Sequence, residues 1–166
     1  MVILGIDPGT RFAGFGVLKK DGSKVQLIDH GCLILKPSDS LVDRVGIFHS
    51  FFEKKIITLQ ITDIALETPF LGKNAQNFLK LGYLRGILYL LAHVHHSVLH
   101  EFSPSQVKQA LTGFGGASKD QLATIILRLF PQLNNHTMPL RLDITDAIAV
   151  TLCGLWHKQK STIFHH

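Results

Sequence analysis

Short apolar runs separated by turn signals fill the first third of the chain, and longer segments with helical periodicity follow. The two patterns are distinguishable because side chains alternate faces along a strand but repeat every three to four residues along a helix. The predicted elements, in chain order, are strands over about 2–7, 12–19 and 25–35, a helix over 41–59, a strand over 61–67, a helix over 74–94, a strand over 96–102, and helices that start near 103, 118 and 143.

Turn and capping residues mark several of these boundaries. An Asp-Gly pair that begins at Asp21 predicts a tight hairpin between the second and third strands. Ser38 or Asp39 is expected to cap the helix that starts at position 41. Ser118 and Gln121 form a capping-box pattern, which predicts a helix start directly after a glycine-rich loop.

The order of the elements indicates the architecture. Three strands that form an antiparallel meander are followed by strands that alternate with helices, and further helices complete the chain. This order predicts an α/β domain of ribonuclease-H-like type, with a mixed five-stranded sheet flanked by helices. We expect a single ribonuclease-H-like domain over residues 1–160 and a short tail over 161–166, because no linker or repeat divides the sequence.

The predicted helix over 74–94 is apolar around most of its circumference. A helix of this kind is expected to be buried on more than one side. One use for the additional apolar surface is a two-fold interface between two copies of the chain. The alternative is burial of the whole helix within one monomer.

The composition indicates a cellular compartment and a class of binding partner. The 166 residues are 46% apolar, with 17 basic and 12 acidic side chains and a net charge of +5, which favours a polyanionic partner. No cleavable signal precedes the first strand, and the most apolar segment is too short to span a bilayer. Cys32 and Cys153 are far apart in apolar surroundings, as expected of free thiols in the cytoplasm.

Four carboxylates are placed where they are predicted to meet. Asp7 and Glu67 end two strands that are parallel neighbours in this fold, so both should lie at the same edge of the sheet. Asp143 and Asp146 are three residues apart and share one face of the last helix. Each has a simpler alternative, since Asp7 can stabilise a turn and acids in a first helical turn complement the helix dipole.

Converging carboxylates repel one another and need protons or cations to compensate. Hard divalent cations prefer oxygen ligands, and Mg²⁺ fits best because it retains several waters. Two such ions can stabilise the attacking and leaving oxygens of a phosphodiester. Setting these four acids aside leaves eight acidic against 17 basic residues. An acidic pocket within a basic surface is what a metal-dependent nuclease requires.

Five sequence blocks, in this order and spacing, resemble the RuvC family of Holliday-junction resolvases: "GIDPGT", "ALETPFLGKN", "LKLGYLRG", "QVKQALTGFGGASKDQ" and "DITDAIAV". The resemblance covers about residues 2–155. It implies a homodimeric, Mg²⁺-dependent endonuclease that makes paired symmetric nicks in a four-way DNA junction during recombination and repair, with Mn²⁺ as a substitute metal. It also suggests a branch-migration motor as a further partner. The catalytic acids of the family fall on Asp7, Glu67, Asp143 and Asp146.

The resemblance also assigns residues that contact DNA. Phe70 matches an aromatic residue that contacts bases at the crossover, and base stacking is worth roughly 1–3 kcal/mol. Lys108 and Lys119 match basic residues near the scissile phosphate, and Lys119 is the expected transition-state stabiliser. The remaining candidate DNA ligands are Lys73, Asn74, Lys80, Arg85 and Arg11.

Rival interpretations remain open at this point. A related nuclease that acts on RNA/DNA hybrids would use the same acids, and a non-catalytic junction-binding protein would share the basic surface. An actin-like phosphotransferase shares the "DPGT" turn but needs a second lobe that this length does not hold. The "GFGGASK" loop lacks the preceding strand and the spacing of a phosphate-binding loop. The histidines near position 95 have no cysteine or acid at a zinc-site spacing.

Overall fold

Residues 1–69, 75–135 and 141–163 are described by the structure, a computed structural model of the chain. Within them, five strands and five α-helices follow one another, with one short 3₁₀ helix before the last α-helix. Their bounds are β1 Val2–Asp7, β2 Phe12–Asp21, β3 Lys24–Ile34, α1 Leu41–Leu59, β4 Asp63–Glu67, α2 Ala75–Val94, β5 Val98–Phe102, α3 Pro104–Thr112, α4 Lys119–Leu129, the 3₁₀ helix Pro131–Asn135, and α5 Leu142–Ile163.

The five strands form one mixed sheet in the order β3-β2-β1-β4-β5. Strand β1 pairs antiparallel with β2 and parallel with β4, and β4 pairs parallel with β5. The register of β1 and β4 aligns Ile6 with Leu66, so the next residue of each strand reaches the same edge of the sheet. The predicted ribonuclease-H-like fold class, with its mixed sheet and flanking helices, is confirmed.

Helices cover both faces of the sheet, because the side chains of each strand alternate between two cores. Leu4 and Ile6 of β1 pack with α1 and α2, where Phe48 and Phe52 are fully buried. Ile3 of β1 belongs to the opposite core, with α3, α4 and α5. The strand therefore has no solvent-facing side, which explains its nearly continuous apolar run.

Helix α5 lies unusually close to β1 and β2, and glycines make this approach possible. A Cβ atom at Gly14 would lie 1.9 Å from the carbonyl oxygen of Asp143, and one at Gly5 would lie 2.0 Å from Oγ1 of Thr151. Neither distance is compatible with a side chain at those positions. The glycines of the first hairpin thus fix where the start of α5, with Asp143 and Asp146, meets the sheet.

The caps of the helices agree with the sequence signals in part. Ser118 caps α4 and forms the predicted capping box with Gln121. The cap of α1 was predicted wrongly, since Ser40 occupies that position and accepts from the backbone N–H of Asp43. Ser40 also donates a hydrogen bond to the Asp43 carboxylate, an interaction that Ser38 is too distant in sequence to provide.

Several element boundaries differ from the predictions by a few residues. Strand β2 runs on to Asp21, because the hairpin is tighter than expected, and β4 starts at Asp63, because the loop after α1 is longer than expected. Strand β5 starts at Val98, since His96 adopts a left-handed backbone conformation with φ of 54°. Helix α5 continues to Ile163, past the predicted end of the domain at residue 160.

Within the single chain, helix α2 is buried on one side. Leu84, Leu88 and Leu91 pack into the core, whereas Tyr83 and Leu90 are 44% and 50% exposed. The alternative of burial of the whole helix within one monomer is therefore wrong, and burial of the other side by a second copy stays a prediction. Among the helices that the structure describes, none combines the length and hydropathy needed to cross a bilayer.

Candidate active site

The parallel pairing of β1 and β4 brings two of the four predicted acids together. Asp7 is the last residue of β1 and Glu67 the last residue of β4, and both are partly buried. They line one cleft of about 160 Å³, together with Pro8, Thr68 and Arg85. The carboxyl edge of the sheet thus presents two carboxylates to one small concave space, as expected for an α/β fold.

Asp146 joins this pair from the first turns of α5. Its carboxylate is 12% exposed and accepts a hydrogen bond from Nζ of Lys119 at 2.6 Å. Lys119 is the first residue of α4, where a positive charge opposes the helix dipole. The ammonium group is therefore placed at this helix end by its interaction with the acids, not by the local preference of the helix.

Asp143 also lies at the start of α5 but faces a different cation. Oδ2 of Asp143 accepts from Nε of Arg141 at 3.0 Å and from a terminal nitrogen of the same guanidinium at 2.7 Å. Its side chain is 33% exposed, against 12% for Asp146. The two acids of α5 thus share a helix face but have separate partners.

Electrostatic coupling between the acids is strong at Asp7. Burial, followed by the charges of Asp146 and Glu67, raises the pKa of Asp7 to about 7, and Lys119 opposes the change. Burial and then Asp146 likewise raise the pKa of Glu67, while Lys119 and Lys108 lower it. The hydrogen bond to Asp146 raises the pKa of Lys119, which keeps this side chain protonated.

This coupling predicts a pH-dependent stability for the metal-free protein. Folded Asp7 binds its proton up to about pH 7, whereas the unfolded chain releases it near the ordinary value of 3.8. Because the folded state binds more protons between these values, the free energy of unfolding should fall as pH rises through them. Replacing Asp7 by Asn should remove about 2–4 kcal/mol of that fall, measured by urea unfolding in EDTA. Wild type and variant with equal pH slopes would contradict the prediction.

The basic residues predicted for DNA binding are distributed around this edge. Lys108 of α3 is half-buried and close enough to Glu67 for its charge to lower that pKa. Arg11 is exposed beside the ring of Phe12, and Lys80 is exposed on α2. Phe70, Lys73 and Asn74, which were also predicted to contact DNA, lie outside the described residues.

Arg85 has a different position from the one expected of a DNA ligand. It is 4% exposed, and its guanidinium donates to the carbonyl oxygen of Glu67, to the carboxylate of Glu101 and to the hydroxyl of Tyr89. Both terminal nitrogens of its guanidinium thus have partners within the protein. The structure therefore gives Arg85 a role in supporting the end of β4, and its contact with DNA stays a prediction.

Comparison with known proteins identifies the family. The profile of the family described as Crossover junction endodeoxyribonuclease RuvC matches residues 3–154. The chain belongs to the RuvC family. The RuvC of Pelodictyon phaeoclathratiforme is 39% identical to it over 155 residues, which cover 93% of this chain and 80% of that protein. The predicted family and enzyme class, a crossover junction endodeoxyribonuclease, are thereby confirmed.

Solved structures support the same assignment. RuvC of T. thermophilus in complex with Holliday junction substrate matches with a TM-score of 0.86 and 27% identity, over 98% of this chain and 97% of that one. The yeast mitochondrial Holliday junction resolvase Ydc2 matches with a TM-score of 0.70 and 16% identity, over 99% of this chain and 80% of that one. At 16% identity, the match to the yeast protein is evidence for a shared fold.

The acids of this RuvC-family chain suit a metal ion by their chemistry, although their side chains are not gathered around one point. Carboxylate oxygens are the ligands that Mg²⁺ prefers, and a cation would offset the burial and the repulsion that together raise the pKa of Asp7. Across residues 1–69, 75–135 and 141–163, however, no group of three or more His, Cys, Asp or Glu side chains is arranged to hold a metal. The donor set therefore fits a metal ion by the chemistry of its oxygens.

Sequence reasoning missed two residues that organise this site. Arg141 binds Asp143, and Glu101 of β5 anchors Arg85 beneath Glu67. A signal for Arg141 was present, because an arginine two residues before an acid at a helix start is unusual next to the positive end of the helix. No local signal marked Glu101, whose partner lies 16 residues away on another element.

Proposed function

We propose that this RuvC-family enzyme cleaves four-way DNA junctions with divalent metal ions held by Asp7, Glu67, Asp143 and Asp146. The observation that carries the proposal is the placement of Asp7, Glu67 and Asp146 with Lys119 at one edge of the sheet, where burial and then the charges of Asp146 and Glu67 raise the pKa of Asp7 to about 7. Buried like charges of this kind are rarely retained without a function. Recombination and repair are the processes in which four-way junctions arise and are resolved.

The metal proposed for this site is Mg²⁺, with two ions per site and Mn²⁺ as a substitute. When bound, such ions supply an activated water and stabilise the charge on the attacking and leaving oxygens of the phosphodiester. The role of the acids is to bind the cations and to fix their positions against the sheet edge. A cation in the cleft would take the place of the proton that Asp7 otherwise holds near neutral pH.

Lys119 is proposed to stabilise the transition state. Its ammonium group is 64% exposed and reaches Asp146 from the rim of the site, so it is accessible to a substrate phosphate. Additional negative charge develops on the phosphate oxygens during cleavage, and a pre-positioned cation stabilises it. Lys108, close enough to Glu67 to affect its pKa, is proposed to bind the phosphate backbone near the cut.

DNA arms are proposed to lie along the basic surface around the acids. Arg11 and Lys80 are exposed and belong to this proposed surface, and Phe70, Lys73 and Asn74 complete it by family resemblance. Phosphate contacts of this kind supply affinity without sequence preference. The aromatic Phe70 is proposed to stack on bases at the crossover, which would favour branched over linear DNA.

The exposed face of α2 is proposed to form a homodimer. Leu79, Tyr83, Leu90 and Val94 are each more than two-fifths exposed and recur at intervals of four and seven residues, so they form one apolar stripe. Helix stripes with this spacing pack against a second helix in coiled-coil fashion. A second copy of the chain is the proposed occupant, because symmetric nicks in a four-way junction need two active sites related by a two-fold axis.

The compartment and further partners are also proposals. The cytoplasm is proposed because neither Cys32 nor Cys153 is in a disulfide, as is typical of reducing compartments. A branch-migration motor as an additional partner rests on family resemblance.

A supercoiled plasmid that extrudes a cruciform tests both junction cleavage and the coupling of the two nicks. In Mg²⁺ the protein should convert the plasmid to linear molecules with ligatable ends, because two nicks are made within one complex. Single, uncoupled nicks would yield open circles and would contradict the dimer. Preferred cutting of an RNA/DNA hybrid, or binding without cutting in Mg²⁺ and Mn²⁺, would reject junction resolution in favour of the two rival functions.

A further inference from the structure

Asp143, one of the four proposed metal ligands, is already bound by a cation of the protein. Both Nε and a terminal nitrogen of Arg141 donate to the same oxygen of Asp143, at 3.0 and 2.7 Å. The two side chains are 44% and 33% exposed, so the pair lies at the surface. An interaction with two donors on one carboxylate oxygen restrains that side chain more than a single hydrogen bond would.

The guanidinium of Arg141 is itself held from the other side. Its central carbon lies 3.7 Å from the centre of the Phe12 ring, a distance at which a planar cation stacks closely on an aromatic face. Cys32 of β3 also faces this guanidinium, and its thiol interacts with it. Cys32 pairs with Gly14, the residue against which the first turn of α5 packs. Arg141 is therefore anchored to the β2–β3 side of the sheet.

This anchoring gives the carboxylate of Asp143 a partner that the other three acids do not share. Asp7 and Glu67 end β1 and β4, and Asp7 pairs with Gly14, the glycine against which the backbone of Asp143 packs, so it is the side chain of Asp143 that Arg141 holds toward β2 and β3. Among the charges that act on Asp7, those of Asp146 and Glu67 have the larger effects and that of Asp143 the smallest. Asp143 thus has the weakest electrostatic link to Asp7 among these acids and accepts two hydrogen bonds from a cation of the protein.

We propose that Arg141 is a positioning residue that withdraws Asp143 from the metal site and competes with the metal ion for its carboxylate. The proposal rests on the proposed function, since it takes Asp143 as a metal ligand. Loading of the site then requires Asp143 to leave Arg141, so part of the metal-binding free energy is used to break this pair. Metal affinity is consequently lower than the acids alone would give.

The test is a Mn²⁺ titration of the DNA-free protein, followed by the electron paramagnetic resonance signal of free Mn²⁺. Replacing Arg141 by Gln should tighten Mn²⁺ binding about 2- to 5-fold, the range expected for loss of an exposed ion pair. Phe12→Leu should shift the affinity in the same direction, because it removes the ring beneath the guanidinium and keeps the charge. Unchanged or weaker Mn²⁺ binding by Arg141→Gln would overturn the proposal.

Arg11→Gln is the matched control. Arg11 lies over the same Phe12 ring at 5.7 Å and carries the same charge, and its described contacts do not include Asp143. If loss of a nearby positive charge were the whole effect, Arg11→Gln would tighten Mn²⁺ binding as much as Arg141→Gln, and the proposal would fail. A shift confined to Arg141→Gln and Phe12→Leu supports it.

Cleavage in the same buffer separates this proposal from the proposed function. A wild type that binds Mn²⁺ without cutting a four-way junction would reject the nuclease proposal, while tighter binding by Arg141→Gln would still support competition for Asp143. Cutting by the wild type together with identical Mn²⁺ isotherms for wild type and Arg141→Gln would overturn the role of Arg141 alone. Absence of Mn²⁺ binding by both proteins would overturn the two proposals together.

Discussion

Asp7→Asn should abolish junction cleavage and leave junction binding intact. Asn keeps the size of the side chain and one oxygen but loses the charge that a metal ion requires, so the cleavage rate should fall about 10³-fold or more. Binding should persist or tighten, because one negative charge is removed from the site that faces the phosphates. The measurements are a gel shift with a synthetic four-way junction in Ca²⁺ and single-turnover cleavage in Mg²⁺.

Asp21→Asn is the control for this experiment. Asp21 ends β2 at the hairpin, and the register of β1 and β2 places it at the opposite edge of the sheet from Asp7. Asn-Gly suits a tight hairpin turn as well as Asp-Gly does, so stability should not change. If Asp7→Asn cut the junction at a rate within tenfold of that of Asp21→Asn, the assignment of Asp7 as a metal ligand would be wrong.

Gly14→Ala should displace the start of α5 and destabilise the protein, because it adds a methyl group where the sheet and the helix are in contact. The new Cβ would lie 1.9 Å from the carbonyl oxygen of Asp143, and backbone atoms cannot move aside as a flexible side chain can. The first turn of α5 must shift, at a cost of about 3 kcal/mol in the free energy of unfolding. Cleavage should fall about 10²-fold, since the start of α5 carries two of the four acids, Asp143 and Asp146.

Gly46→Ala provides the comparison. Gly46 lies within α1, and a Cβ there would meet no atom within 4 Å. The same change should therefore raise the free energy of unfolding by about 1 kcal/mol, because alanine favours the helix over glycine. Urea unfolding of both variants, with cleavage assayed beside it, checks the pair. Equal effects of the two substitutions would show that α5 does not depend on the close approach at Gly14.

The Asp7 and Gly14 variants also separate the effect of a lost charge from the effect of a displaced helix at the edge of the sheet where the acids lie. Asp7→Asn changes the charge and keeps the fold, and in metal-free buffer it should stabilise the protein near pH 7, where the carboxylate of the wild type is repelled by its neighbours. Gly14→Ala keeps every charge and displaces the helix that carries Asp143 and Asp146. A nuclease that depends on a metal site built across strands and a helix should lose activity in both cases, for different measurable reasons.

The sequence by itself determined the elements, the order of the acids along them and the family. Apolar periodicity and turn residues are local properties, so they predicted the five strands, and the ends of β1 and β4 predicted the common edge for Asp7 and Glu67. The five motif blocks identified the RuvC family, which the family comparison confirmed. Short-range signals were less decisive at helix starts, where Ser40 rather than Ser38 or Asp39 caps α1.

Only the tertiary structure decided which side chains meet. Arg85 carries a positive charge that the sequence could not distinguish from that of a DNA ligand, yet burial against Glu67 and Glu101 makes it a support of the sheet edge. Similarly, Asp146 meets Lys119 from 27 residues away, whereas Asp143, on the same helix face, is held by Arg141. Such pairings depend on how elements distant in sequence pack against one another, and a local pattern contains no information about that packing.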